Sequence, residues 1–252
     1  FLLSQAVATA SAQRPLSPEI ESFIGEMVQK HQFEGDALRR LFVQARPRPE
    51  ILQAISAPAT ARPWHEFRSR NVDPARIHAG AAFWREHAVT LARASREYGV
   101  PEEIIVATIG VESLYGRNTG SYRVLDALTT LAFQYPPRAE LFRAQLEEYL
   151  LLVRETGFDA TRIRGSYAGA IGIPQFLPSS YRRYAVDFDG DGRRDLMRTT
   201  ADAIGSIANY YKAHGWRSGE IVAVPAGVEG AGVDALLEAG IRPQLKIAEL
   251  KR

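Results

Sequence analysis

The chain has 252 residues, 46% hydrophobic and 24% charged, with 20 Gly, 14 Pro and no Cys, enough for one large domain or two small ones that bury a core without covalent staples. With 31 Lys and Arg against 29 Asp and Glu the formal charge is only +2, so no dense phosphate-binding stripe is implied and a dedicated nucleic-acid reader is disfavoured. The absence of Cys removes thiol catalysis, disulfides, thiolate zinc sites and a cysteine-linked lipid anchor in this chain.

Residues 1–8 are mostly apolar and are followed by Ala10-Ser11-Ala12, the pattern of a secretory signal peptide with its small-residue cleavage site. Residues 1–12 are therefore expected to be the remnant of a leader on an exported protein. No later apolar run approaches the ~20 residues that span a bilayer, so no membrane span is expected. Ser17 before Pro18 reads as a helix start, and Ile20, Phe23, Ile24, Met27 and Val28 recur at three- and four-residue steps. Residues 34–44, 49–55 and 77–98 continue the helical pattern, with Pro47, Pro58, Pro63 and Pro74 marking breaks and Phe83, Trp84, Ala88 and Leu91 expected in the core.

The next helix runs over 101–116, and its stretch from Ile104 to Val111 is apolar nearly all round, which predicts burial on most sides. Residues 126–133 and 139–155 read as two further helices, the second closed by Gly157; 165–178 is Gly-rich without a period and reads as a closely packed loop. A short helix opens at Pro178, residues 187–192 form an acidic turn, and 202–214 is an amphipathic helix stopped by Gly215. From Gly219 onward the helical signal ends. Residues 221–224 suit a short strand, and Gly227, Gly230, Gly232, Gly240 and Pro243 break the remainder into a separate, mostly non-helical part.

Glu112 is the first candidate for chemistry. It follows the apolar run and lies near a helix C-terminus, so desolvation and the negative end of the helix dipole both favour its protonated form, as a general acid requires. The structural alternative is an ion pair with one of the chain's many arginines. Asp187, Asp189 and Asp191, with Gly192 next, match the first half of an EF-hand calcium loop, in which Arg193 would offer its backbone carbonyl. Arg198 stands where the closing Glu is usual, and Asp202 is the nearest suitable acid. The histidines form no zinc-binding pair, and there is no serine-hydrolase elbow, phosphate-binding loop or dinucleotide fingerprint. No organic cofactor is therefore expected.

Three segments carry a resemblance: Ile104-Ile105-Val106-Ala107-Thr108-Ile109-Gly110-Val111-Glu112-Ser113, Leu125-Asp126-Ala127-Leu128-Thr129-Thr130-Leu131-Ala132-Phe133, and the stretch from Gly165-Ser166-Tyr167-Ala168-Gly169 through Gln175-Phe176 to Tyr181. With Tyr184 to Gly192 and Asp202 to Trp216 they resemble the membrane-bound lytic transglycosylase B family, including its soluble periplasmic members, over roughly residues 60–225. The resemblance implies a mainly α fold, α+β overall. It has a goose-lysozyme-like catalytic core over 100–201, a helical domain over 13–99 with 202–218 packing on it, and a small β-rich part over 219–252. It implies a lytic transglycosylase that cleaves the β-1,4 bond between N-acetylmuramic acid and N-acetylglucosamine of peptidoglycan without consuming water and leaves 1,6-anhydromuramoyl ends.

On that resemblance Glu112 is the single catalytic acid and base, and Ser166, Gln175, Phe176, Tyr210 and Arg138 bind substrate. Asp187, Asp189, Asp191, Arg193 and Asp202 hold one structural Ca2+. The resemblance also implies a periplasmic protein, acting as a monomer on glycan strands, with cell-wall synthesis proteins as partners and no nucleic acid. Pro137, Ile173-Pro174 and Phe67 depart from the family's usual residues at substrate-contacting positions, and Arg252 falls before the C-terminal segment that the family adds to its core. Two rival readings are a hydrolytic lysozyme-type muramidase and a non-catalytic, calcium-stabilised wall-binding module.

Overall fold

Ser17 accepts the Ile20 N–H through its hydroxyl at 3.4 Å and Pro18 fixes φ at the first helical position, so α1 runs over Pro18–His31 as its spacing predicts. The computed structural model describes residues 15–56 and 63–223 and Glu238. The expected leader remnant and most of the expected β-rich part lie outside the described residues. The chain divides into two units, residues 1–218 and 219–252; residues 221–223, where a strand is expected, are in neither helix nor strand.

In the first unit α2 (Gly35–Phe42), α3 (Pro49–Ser56), α4 (Trp64–Asn71), α5 (Pro74–Glu86), α6 (Ala88–Tyr98) and α7 (Glu102–Ser113) follow in order. The helix expected over 77–98 is two helices: α5 begins earlier, where Asp73 caps the Ala75 and Arg76 N–H groups, and ends at His87, whose φ of −109° and ψ of 19° leave the helical region. Ala88, expected in the core, is exposed at the start of α6, and Trp84 is half-buried, whereas Phe83 and Leu91 are buried. The strand β1 (Tyr122–Arg123) leads into α8 (Val124–Gln134), then a 3-10 turn (Pro136–Arg138), α9 (Ala139–Thr156), β2 (Arg164–Gly165), α10 (Pro178–Tyr184) and α11 (Thr200–Ala213). Gly157 ends α9 at φ 70°, as its position in the sequence predicts.

Two apolar clusters hold these helices. One joins α1, α2 and α3 to α8 and α9 through Phe23, Ile24, Met27, Phe42, Leu131 and Leu146. The other joins α5, α6, α7 and α11 through Phe83, Leu91, Ile105, Ile109, Ile204 and Ile207. Each is non-directional burial of the apolar stripe that the helical periodicity creates.

The Gly-rich stretch is a folded ribbon. β1 pairs antiparallel with β2, Tyr122 opposite Gly165, and Gly165 then bridges Ile171, which bridges Phe176. Backbones pass so closely here that a Cβ on Gly120, whose φ is 93°, would lie 2.1 Å from the Gly165 carbonyl. Gly120→Ala is therefore expected to destabilise by roughly 3 kcal/mol or more, read as a lower midpoint in thermal unfolding. Gly25, inside α1 with nothing within 4 Å of its would-be Cβ, has the opposite sign: Gly25→Ala is expected to stabilise by about 0.5–1 kcal/mol.

Candidate active site

Helix α7 carries Glu112 on its penultimate residue. Its end is fixed by an unusual turn in which Leu114, Tyr115 and Gly116 all take left-handed backbone, at φ of 52°, 60° and 81°. For the two non-glycine residues this costs about 1–2 kcal/mol each. Several bonds offset it: Leu114 N donates to the Gly110 carbonyl at 3.2 Å, Tyr115 N to that of Ile109 at 3.3 Å and Asn118 N to that of Ser113 at 2.8 Å. The Tyr115 hydroxyl donates to the Arg76 carbonyl at 3.1 Å, and Arg76 Nη1 donates back to the Gly110 carbonyl at 3.1 Å. The expectation of burial on most sides does not hold for α7: Ile105, Val106, Ile109, Gly110 and Ser113 are buried, but Ala107 and Val111 are exposed. Helices α5, α6 and α11 pack on it and leave one edge to solvent.

Glu112 opens onto a pocket of about 330 Å³ whose lining includes Thr108, Gln175, Phe176, Tyr210 and Tyr211. Its carboxyl keeps solvent access through the mouth of the pocket, yet the surrounding protein desolvates it enough to push its pKa above the ordinary glutamate value. Among the described residues it has no hydrogen bond and no ion pair, which removes the reading of Glu112 as one half of a structural Arg pair. Hollows of similar size occur elsewhere, one of about 350 Å³ beside Phe42 and Phe133 and one of about 450 Å³ among arginines. Chemistry therefore singles out the pocket at Glu112, and volume does not.

Of the residues expected to bind substrate, Gln175, Phe176 and Tyr210 meet Glu112 at this pocket. Gln175 has a left-handed φ of 51° and is held by its own side chain, whose Nε2 donates to the Thr119 carbonyl at 3.0 Å and the Gly172 carbonyl at 2.8 Å. Phe176 packs 5.3 Å from Tyr210, centroid to centroid, and Tyr210 stacks 4.0 Å from His214. Ser166 and Arg138 do not line the pocket. The Ser166 hydroxyl accepts the Ala168 and Ala170 N–H groups at 3.2 and 3.1 Å, while Arg138 is exposed in the 3-10 turn, its guanidinium 5.6 Å from the Phe142 ring centroid. Thr108 escaped the sequence reading. It lies one turn before Glu112 on the same helix face, so an i−4 step from the acid finds it; its hydroxyl donates to the Ile104 carbonyl at 2.8 Å and lies 3.0 Å from the Tyr211 hydroxyl.

The acidic loop brings together Asp187, Asp189 and Asp202, each with a carboxylate oxygen within 4.8 Å of the others. Asp202 opens α11 from a buried position, its oxygens accepting the Phe188 N–H at 2.7 Å and the Asp195 N–H at 2.8 Å. Desolvation raises its pKa against those donors, and the neighbouring Asp189 charge adds to the rise. Desolvation would also raise Asp187, but N–H groups of Gly192, Gly190 and Asp191 outweigh it and hold that carboxyl below its ordinary value. Asp191 does not join the three; its carboxylate accepts the Arg193 N–H at 2.8 Å. Converging carboxylate oxygens are a hard donor set that suits Ca2+.

The chain matches the family described as Transglycosylase SLT domain over residues 16–252. It belongs to that family. The chain is 42% identical over 248 residues to the membrane-bound lytic murein transglycosylase B of Escherichia coli strain K12, covering 90% of this chain and 68% of that protein. Among solved structures, the soluble lytic transglycosylase SltB1 of Pseudomonas aeruginosa is similar at a TM-score of 0.87 and 49% identity, over 93% of this chain and 79% of that one. The Escherichia coli lytic transglycosylase Slt35 in complex with calcium is similar at a TM-score of 0.77 and 41% identity, over 91% of this chain and 77% of that one. The transglycosylase fold is the mainly α, lysozyme-like one that the resemblance implies.

The raised pKa of Glu112 has a thermodynamic consequence. A carboxyl whose folded pKa exceeds its unfolded value binds more protons in the folded state, so stability falls as pH rises from the unfolded pKa through the folded one. Glu112→Gln removes that penalty. The variant is expected to melt higher than the parent at pH 7 and at the same temperature below about pH 4, as thermal unfolding at the two pH values would report.

Proposed function

We propose that this transglycosylase cleaves the β-1,4 bond between N-acetylmuramic acid and N-acetylglucosamine in peptidoglycan, with Glu112 as its one acid and base. The observation that carries the reading is a desolvated carboxyl with no cationic partner among the described residues, opening onto a pocket walled by aromatic rings. Ordinary glycosidases set two carboxylates across the scissile bond; here, among the described residues, no other Asp or Glu lines the pocket. The one group then serves twice. Protonated Glu112 gives its proton to the glycosidic oxygen as the C1–O bond breaks, and the resulting carboxylate takes the proton of the muramoyl C6 hydroxyl as that oxygen closes on C1. The products are a 1,6-anhydromuramoyl end and a free 4-hydroxyl on the departing N-acetylglucosamine, and no water is consumed.

Phe176 and Tyr210 offer apolar ring surface to a sugar, and the Gln175 side chain, tied through Nε2, presents its carbonyl oxygen in a fixed direction. The Ser166 hydroxyl accepts two N–H groups and keeps its own proton to donate, which suits it to a sugar acceptor further along the strand, with Arg138 at an exposed position for an anionic substituent. The leader-like pattern of residues 1–12 and a peptidoglycan substrate favour the periplasm.

The decisive experiment is mass spectrometry of the fragments released from purified peptidoglycan. Anhydromuramoyl ends are expected from the parent chain, with a loss of about 10²–10⁴-fold in rate for Glu112→Gln. Reducing ends would mean hydrolysis, and undiminished release by the variant would remove Glu112 from catalysis. Because the acid must carry its proton, kcat/KM is expected to fall as pH rises through the raised Glu112 pKa.

Asp187, Asp189 and Asp202 would hold a Ca2+ ion, which when bound would neutralise their mutual repulsion and tie the loop to the start of α11. At a calcium concentration about 100 times the Kd, the gain is about 2.7 kcal/mol, or a rise in melting temperature of roughly 5–10 °C for a chain of this size. Asp202→Asn is expected to abolish most of that rise; an unchanged midpoint across a calcium titration of the parent would remove the site.

A further inference from the structure

Apart from the pocket at Glu112, four arginines line a hollow of about 450 Å³: Arg46 and Arg48 ahead of α3, Arg123 in β1 and Arg164 in β2, with Glu50 at its edge. Asp126, fully buried, anchors three of these four residues. Its oxygens accept the Arg46 backbone N–H at 2.9 Å, Arg123 Nη2 at 2.6 Å and Nε at 2.9 Å, and Arg48 Nε at 3.3 Å. Glu50 stands 3.6 Å from Arg48.

Four guanidinium groups thus face two carboxylates, and the distribution is uneven. Asp126 and Glu50 are spent on Arg123 and Arg48. The Arg46 side chain has no hydrogen bond or ion pair among the described residues, and Arg164 spends only Nη1, on the Ser121 carbonyl at 2.6 Å. Two cations remain uncompensated at a concave surface whose other arginines are held in place. Guanidinium forks in that state match carboxylates, which they bind through paired, charge-assisted hydrogen bonds.

The hollow and the pocket draw on the same folded ribbon. Arg164 precedes Gly165 and Ser166, and Ser121 lies two residues after Thr119, whose carbonyl holds the Gln175 side chain. We propose that this arginine hollow binds a carboxylate of the peptide stems carried by peptidoglycan strands, which rests on peptidoglycan being the substrate. Stem-bearing strands are then preferred over bare glycan through contacts that lie off the reacting atoms.

The test is calorimetric titration of the Glu112→Gln protein, which holds substrate without cleaving it. The ligands are a glycan tetrasaccharide carrying its stems and the same tetrasaccharide stripped of them by an amidase. Adding Arg46→Ala and Arg164→Ala, neither of whose side chains touches Asp126, is expected to weaken binding of the stem-bearing ligand on the order of tenfold and to leave the stripped one unchanged. Arg46→Ala alone, whose side chain supports nothing else in the fold, is expected to act in the same direction. An unchanged affinity for the stem-bearing ligand, or an equal loss for both ligands, overturns the proposal. Failure of the peptidoglycan reading is seen separately, as no binding of the stripped tetrasaccharide by the Glu112→Gln protein and no fragments released by the parent.

Discussion

Tyr115 occupies a slot that two glycines make. A Cβ on Gly80 of α5 would lie 2.5 Å from its hydroxyl oxygen, and one on Gly110 of α7 would lie 2.6 Å from the same atom. Only with both side chains absent does the ring pass between the helices and reach the Arg76 carbonyl. The bond binds the end of α7 to α5 from one side while the Arg76 guanidinium does so from the other. Glu112 lies between Gly110 and Tyr115 in the chain, so its position depends on this double tie. Left-handed Leu114 and Tyr115 are the conformational cost of turning the chain back sharply enough to make it.

Helix α11 carries the constraint to the other wall of the pocket. Asp202 sits at its buried start within the carboxylate group, and Tyr210 and Tyr211 follow two turns later at the pocket. Gly205 lies against Phe188, where a Cβ would come within 2.4 Å of the ring, and Arg93 of α6 sets its guanidinium 3.7 Å from the ring centroid and donates to the Phe188 carbonyl. The acidic loop is thereby clamped between α6 and α11. A cation among the carboxylates would act on stability and on the placement of the two tyrosines, at a distance from the proton-transfer chemistry.

How much of this could be read from the sequence differs from residue to residue. The helices α1, α8 and α9 follow from periodicity and from punctuation by Ser17, Pro18 and Gly157. Glu112 follows from an acid placed against an apolar run. The break between α5 and α6 at His87 does not, because no Gly or Pro marks it and the turn is set by how Phe83 and Leu91 pack into one cluster. Helix α4 also escaped, since Trp64–Asn71 has no buried residue and hence no apolar stripe. The arginine hollow was invisible because Arg46, Arg48, Arg123 and Arg164 are brought together by Asp126 and by a two-residue strand pairing, both long-range in the chain.

A formal charge of +2 conceals how selectively the arginines are used. Arg182 joins Glu148 and Glu155, Arg39 joins Glu21 and Asp36, and Arg143 joins Glu26. Exposed pairs of this kind add little stability individually, but each ties a guanidinium to a site away from the pocket. Among the described residues Glu112 is left without a countercharge, in a chain that has 27 Arg. One guanidinium within about 4–6 Å would lower its pKa by one unit or more, which would leave it ionised when it must donate a proton. These ion pairs and the isolation of the acid are therefore two sides of one charge pattern, in which arginines are tied to other partners while desolvation raises the proton affinity of Glu112.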